Sequence, residues 1–287
     1  MKIEVNILDV FAEKVGDGNP AGVVLDANKL SDIEMQEISK KVGLSETAFV
    51  KKSERADFKV QFFTPNNEVD LCGHATIGTF SLLYKNGEIG VGVYTQETKA
   101  GILEIEIKED GKIYMEQLKP KYYGDINKKE IAESLNMDVE NIVEELPIKI
   151  VSTGLKDILV PIKTLEILNN IEPNFEIIKK ISEKYDVVGY HIFALSNEEG
   201  SIGYCRNFAP LYDIDEESAT GTSNGALACY LHKYNKLEKY KNLKFNQGYS
   251  MGKPSNIYAD LEVKDNEIIS VKVGGTALKV NKMTISN

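Results

Sequence analysis

The chain has 287 residues, enough for one large domain or two of about 140, and either size can bury a real core. Its 44 acidic side chains outnumber 34 basic ones, and a formal charge of −10 repels nucleic acid and anionic lipid, so neither is expected as a partner. Three cysteines do not make a disulfide framework, and no apolar leader or membrane-length apolar run is expected, so the reading is a cytoplasmic protein.

In chain order, Lys2 to Phe11 alternates as a strand, with Ile3, Val5 and Ile7 on one face. Val23 to Leu25 is its expected hairpin partner. A helix follows, opened by the capping-box pair Ser31 and Glu34, striped by Met35, Ile38 and Val42, and stopped at Gly43. Strands are predicted at Thr47 to Lys51 and Asp57 to Phe63, which places Glu46 at a helix-to-strand junction. The run Leu71-Cys72-Gly73-His74-Ala75-Thr76 leads into a helix through about Tyr84. Leu103, Ile105 and Ile107 alternate, and Asp110-Gly111 marks a hairpin returning over Lys112 to Leu118. Pro120, Lys121 and Gly124 then break the pattern.

The second half predicts helices at Lys129 to Leu135, Asn174 to Tyr185 and Ser223 to Tyr234. Strands are predicted near 148–152, 158–162, 190–195, 202–208, 257–263 and 268–273, with a last short one after Gly274-Gly275. Many hairpins and few helices argue for α+β with largely antiparallel sheets. The three histidines, His74, His191 and His232, are far apart in sequence. No Cys/His cluster has zinc-like spacing, so no metal is expected.

Two places echo each other. Phe63-Thr64-Pro65 is followed by a polar loop, Leu71-Cys72-Gly73-His74-Ala75 and a helix; Phe208-Ala209-Pro210 is followed by a polar loop, Ala219-Thr220-Gly221-Thr222-Ser223 and a helix. A long-period repeat of this kind means two similar domains. Each echo ends in a helix start whose free N–H groups suit a carboxylate. Two ordinary strand-to-helix turns would read the same way.

These residues and others resemble the phenazine-biosynthesis PhzF-like isomerase family. Asp9-Val10-Phe11, Gly18-Asn19-Pro20, Leu44-Ser45-Glu46-Thr47-Ala48-Phe49 and Glu68-Val69-Asp70-Leu71-Cys72-Gly73-His74-Ala75-Thr76 look like its N-terminal half. Arg206-Asn207-Phe208-Ala209-Pro210, Ala219-Thr220-Gly221 and the run from Gln247 to Ser255 look like its C-terminal half. The resemblance implies the diaminopimelate epimerase-like fold: two topologically similar domains, each a central helix wrapped by mostly antiparallel strands, with the active site in the cleft between them. The domains are expected at 1–119 plus 276–287 and at 120–275. It also implies a homodimer, a small carboxylated substrate, and no metal or organic cofactor.

On that resemblance Glu46 takes the acid/base position, Gly73, His74 and Gly221 take substrate-contacting positions, and Ser45 is a further contact. His74 is also a candidate second proton carrier. Where the family commonly reads Glu-Asp-Pro-Ala-Thr-Gly-Ser, this chain has Glu216-Glu217-Ser218-Ala219-Thr220-Gly221-Thr222. Glu217 keeps the charge of a functional Asp and reaches one methylene further, so it is carried as a catalytic candidate, and Thr222 as a substrate contact. On residue chemistry alone, Glu46 reads first as a solvated strand-start carboxylate, because charged residues are mostly exposed, and Glu217 as one member of an acidic run before a helix.

Cys72 opens a rival reading. Diaminopimelate epimerases and proline racemases share the architecture and use two cysteines; Cys72 matches the first, and Thr220 stands at the second. A one-cysteine epimerase or dehydratase stays open beside the isomerase, as does a non-catalytic small-molecule binder on the same scaffold. Cys72 also reads as a small buried apolar residue, as do Cys205 and Cys229.

Overall fold

The computed structural model describes residues 2–196 and 198–286, the side chains of Asp125 and Glu199 excepted. Along the first part run β1 (Lys2–Val10), β2 (Asn19–Val24), α1 (Asp32–Val42), β3 (Thr47–Lys51), β4 (Phe58–Phe63), β5 (Glu68–Val69), α2 (Gly73–Lys85), β6 (Gly92–Thr98), β7 (Gly101–Ile107) and β8 (Ile113–Gln117). Then come β9 (Lys121–Asp125), α3 (Lys128–Ser134), β10 (Lys149–Ser152), β11 (Lys156–Pro161), α4 (Leu165–Asn170), α5 (Phe175–Tyr185), β12 (Gly189–Leu195) and β13 (Ser201–Ala209). The chain ends with β14 (Ile214–Glu217), α6 (Gly221–Lys233), β15 (Leu243–Gln247), β16 (Ser255–Lys264), β17 (Glu267–Gly275) and β18 (Ala277–Ser286).

The chain falls into two units, Met1–Glu116 with Gly274–Asn287, and Gln117–Val273. In the first, β1 pairs antiparallel with β2 and with β18, β2 runs parallel to β3, and β3 pairs antiparallel with β4. β4 then pairs antiparallel with β5 and parallel with β6, which leads on to antiparallel β7 and β8. In the second unit, β10 is antiparallel to β11, β11 parallel to β12, and β12 antiparallel to β13. β13 pairs antiparallel with β14 and parallel with β15, and β15 leads to antiparallel β16. The same order of pairing directions occurs twice, with α2 and α6 at the same place in it. The fold is α+β and duplicated.

Each unit has one helix buried nearly all round. Ten of the thirteen residues of α2, His74 to Leu83, are buried, and so are ten of the thirteen of α6, Ser223 to His232. A helix without a polar face needs cover on every side. α2 packs on β1, β2, β3 and β18. α6 lies on one face of its sheet, where Val151, Leu159, Phe193, Cys205, Phe245 and Ala259 point inward. Their neighbours Ile150, Ile158, Ile192 and Ala194 point to the other face and pack against α3, α4 and α5. This alternation is the period-2 geometry of strands.

Local signals explain most ends. Ser31 and Glu34 form a complete capping box, and Gly43 closes α1 in the left-handed conformation (φ 69°). The strand after Gly274-Gly275, predicted to be short, is instead ten residues long and pairs along all of β1, with a bulge between Ile7 and Leu8. β6, β9, β15 and α4 lie where no regular element was predicted.

Candidate active site

Glu46 sits in the short link between α1 and β3. Its carbonyl accepts a hydrogen bond from the Gly22 N–H at 3.1 Å, which fixes the backbone where the side chain departs. Its carboxylate meets the start of α2: Glu46 Oε2 lies 3.3 Å from His74 Nε2. His74 is 7% exposed and Glu46 21%. Oε2 itself is out of reach of water, and no hydrogen bond of good geometry reaches it among the described residues. Cys72 Sγ stands 3.4 Å from His74 Nδ1 and 3.9 Å from Nε2. One carboxylate, one imidazole and one thiol thus converge, with ligand-type atoms all within 4.8 Å of one another.

Burial pushes the His74 pKa below its usual value, against the opposing pull of the Glu46 charge. The imidazole is therefore neutral at neutral pH and can take a proton or give one up. Cys72 is the N-cap of α2, and its side chain caps no first-turn N–H. The first-turn N–H groups of Gly73 and His74 precede the start of intrahelical bonding, where the helix presents positive charge. A Cβ on Gly73 would meet nothing nearer than Met115 Cε at 3.5 Å, so core packing does not demand the glycine. Ser45 is exposed.

The start of α6 repeats this plan. Thr220 is its N-cap, again without a side-chain cap, and Gly221 and Thr222 form the first turn. The Thr220 hydroxyl donates to Glu217 Oε2 at 2.6 Å and accepts from Gln247 Nε2 at 3.0 Å. Gln247 Nε2 also donates to the Glu217 carbonyl at 2.8 Å, while its Oε1 accepts from Thr220 N–H and from Asn224 Nδ2. Behind the turn, Ser223 Oγ donates to buried Asp157 at 2.6 Å. Glu216 points elsewhere: it holds the buried Arg206 guanidinium in two bonds of 2.9 Å.

The sequence pattern of phenazine biosynthesis-like proteins, PhzC-PhzF, matches residues 8–283. The chain belongs to that family. It is 36% identical to an uncharacterized isomerase of Clostridium acetobutylicum, over 96% of this chain and 95% of the relative. It is 28% identical to the trans-2,3-dihydro-3-hydroxyanthranilate isomerase of Pseudomonas chlororaphis, over 97% of this chain and 98% of that enzyme. A crystal structure of the PhzF-family protein of Bacillus anthracis superposes with a TM-score of 0.91 at 33% identity, each chain covered in full.

Within this PhzF-family chain, Glu46, Gly73 and His74 come together in the first unit, and Glu217, Gly221 and Thr222 share one turn in the second. Two groups of residues escape a reading by sequence. Asn207, Gln247 and Asp157 brace the start of α6 from three different strands, and only the family motifs around Asn207 and Gln247 signal them. The convergence of Glu46 with Cys72 and His74 escapes a search for zinc-like spacing, because 25 residues lie between the carboxylate and the thiol. That donor set is one that could hold a metal ion.

Proposed function

We propose that this chain is an isomerase of a small carboxylated metabolite, with Glu46 removing a proton from an activated carbon. The observation that carries the reading is the buried 3.3 Å approach of Glu46 Oε2 to a neutral His74. A general base must stand within reach of the proton it takes, and Glu46 Oε2 is held against a second proton carrier at the start of α2. Membership of the PhzF family and the kinship to a dihydro-hydroxyanthranilate isomerase support the same chemistry.

In the proposed step the C–H electron pair moves into the substrate's conjugated system as Glu46 takes the proton. The proton then returns to a different carbon of the same molecule, from Glu46 or by way of His74. The reaction is redox-neutral and consumes no co-reactant. N–H groups at Gly73 and His74 suit a substrate carboxylate, and Gly221 and Thr222 offer the same chemistry on α6. Glu217, whose carboxylate accepts from the Thr220 hydroxyl, is the proposed acidic group of the second unit.

Turnover of a panel of small carboxylates, including 2,3-dihydro-3-hydroxyanthranilate, followed by NMR, tests the proposal. A product isomeric with its substrate, formed by wild type and not by Glu46→Gln, is the expected result. A second reading has its own observation, the 3.4 Å contact of Cys72 Sγ with His74 Nδ1. A thiol-based epimerase or dehydratase would lose turnover in Cys72→Ser, whereas the Glu46 mechanism tolerates that change. Substrates that raise the melting temperature and never react would point instead to a binding protein.

A further inference from the structure

We propose that Glu46, Cys72 and His74 form a binding site for one thiophilic divalent cation of the Zn²⁺ class. The cation switches proton transfer off by occupying the atoms that carry it. This last step rests on the isomerase reading; the binding itself does not.

Donor chemistry points to such an ion. A carboxylate oxygen, an imidazole nitrogen and a thiol sulfur are the three ligand types Zn²⁺ takes, and three protein ligands with a water in the fourth place is a common arrangement. Hard cations such as Mg²⁺ and Ca²⁺ prefer sets made of oxygen alone. Bond lengths of about 2.0–2.3 Å at tetrahedral angles require ligand atoms roughly 3.3–3.6 Å apart. Glu46 Oε2 and His74 Nε2 already stand at 3.3 Å, and Cys72 Sγ lies 3.9 Å from the same nitrogen. Small rotations of the Cys72 and Glu46 side chains close the third edge, because the whole set spans no more than 4.8 Å.

A second observation is independent of this spacing. Glu46 Oε2 is buried and receives no hydrogen bond of good geometry from the described residues. A buried carboxylate oxygen in that condition costs free energy, and a cation removes the cost. The two ligands from α2 stand two residues apart on one turn, and the third is fixed by the Gly22 hydrogen bond, so little ordering is needed on binding.

Binding releases the Cys72 thiol proton to solvent, and the sulfur coordinates as thiolate. Glu46 cannot then accept a proton from substrate, and His74 cannot relay one. Removal of the ion restores both groups unchanged, so inhibition is reversible.

The test is titration of the full-length protein with Cd²⁺ or Co²⁺ without substrate, reading the thiolate-to-metal charge-transfer band and the stoichiometry by calorimetry. Cys205 and Cys229 are buried in apolar surroundings that push their thiols far up, to about 12 for Cys229, so the band reports Cys72. One equivalent is expected. Loss of an outer-shell partner of a metal ligand costs roughly 10–100-fold in affinity. Losing a ligand outright in Cys72→Ser is therefore expected to abolish the band and weaken binding by more than about 100-fold, and Glu46→Gln to keep the band and weaken binding at least about tenfold.

An unchanged band in Cys72→Ser, or equal affinity in wild type, Glu46→Gln and His74→Gln, would overturn the site and indicate scattered surface carboxylates. If Cys72→Ser does not fold, judged by its melt, the other two variants decide. Proton exchange into substrate is measured separately, with and without Zn²⁺ and a chelator. One-equivalent binding without any exchange activity leaves the metal site standing and sinks the isomerase reading. Exchange that Zn²⁺ does not inhibit leaves the isomerase reading standing and overturns the switch.

Discussion

Two opposing effects set the charge state of His74. Burial disfavours the imidazolium, and the carboxylate beside it favours the same ion. Burial is the larger of the two effects, so the His74 titration midpoint is expected below the ordinary 6.5. Removing the Glu46 charge takes away the opposing pull. The midpoint in Glu46→Gln is therefore expected to fall further, as read from the imidazole resonances in an NMR pH titration. An unchanged midpoint in that variant would show that the two side chains do not interact in solution. On the other unit, Gln247 contacts Glu217, Thr220 and Asn224 at once. Gln247→Ala removes four hydrogen bonds from a partly buried turn, and a loss of about 1–3 kcal/mol in chemical denaturation is expected.

At the scale of elements, α2 and α6 are set by close approach as well as by apolar surface. A Cβ on Gly225 would stand 2.7 Å from Val273 Cγ2 and 3.4 Å from Thr153 Oγ1. Gly225→Ala would gain helix propensity in an open site; here overpacking wins, and a net destabilisation of about 1–3 kcal/mol is expected in urea unfolding. Elements that obey simple patterning were legible in the sequence: α1 through Ser31, Glu34 and Gly43, β7–β8 through Asp110-Gly111. Two of the missed strands, β6 and β15, bury polar residues. In β6 the buried residues are Gln96 and Thr98 while Val93 is 57% exposed, because Gln96 donates to Thr76 on α2. In β15 buried Asn246 and Gln247 serve the α6 turn and its neighbours. Polar residues inside a sheet read as loop until their partners are known, and those partners come from distant segments. The same reason hid the convergence of Glu46 with Cys72, whereas Glu46 and His74 were reachable individually through the PhzF motifs.

For the whole molecule, Asp157 and His191, both buried in the second unit, act on stability in opposite directions. Burial raises Asp157 from the usual 3.8 to about 6, despite the Ser223 hydrogen bond. Between about pH 4 and 6 the folded state therefore holds a proton that the unfolded chain has lost, and stability falls as pH rises. The full effect is about 3 kcal/mol. Burial lowers His191 from 6.5 to about 3, so over the same window the unfolded chain holds the extra proton and stability rises with pH. The two slopes offset each other between pH 4 and 6. In Asp157→Asn only the histidine slope remains. The stability of that variant relative to wild type is expected to climb by about 3 kcal/mol from pH 4 to pH 6.5 in urea melts. A pH-independent difference would mean that Asp157 titrates alike in both states.

The central claim is that Glu46 moves a proton at carbon. Its most direct test is deuterium incorporation from D₂O into a 2,3-dihydro-3-hydroxyanthranilate-type substrate, read by NMR for wild type and Glu46→Gln side by side. General acid–base groups contribute about 10²–10⁴-fold, so exchange in the variant is predicted to drop by that factor while substrate still binds. Exchange at the wild-type rate in Glu46→Gln would contradict the account and move the chemistry to another residue.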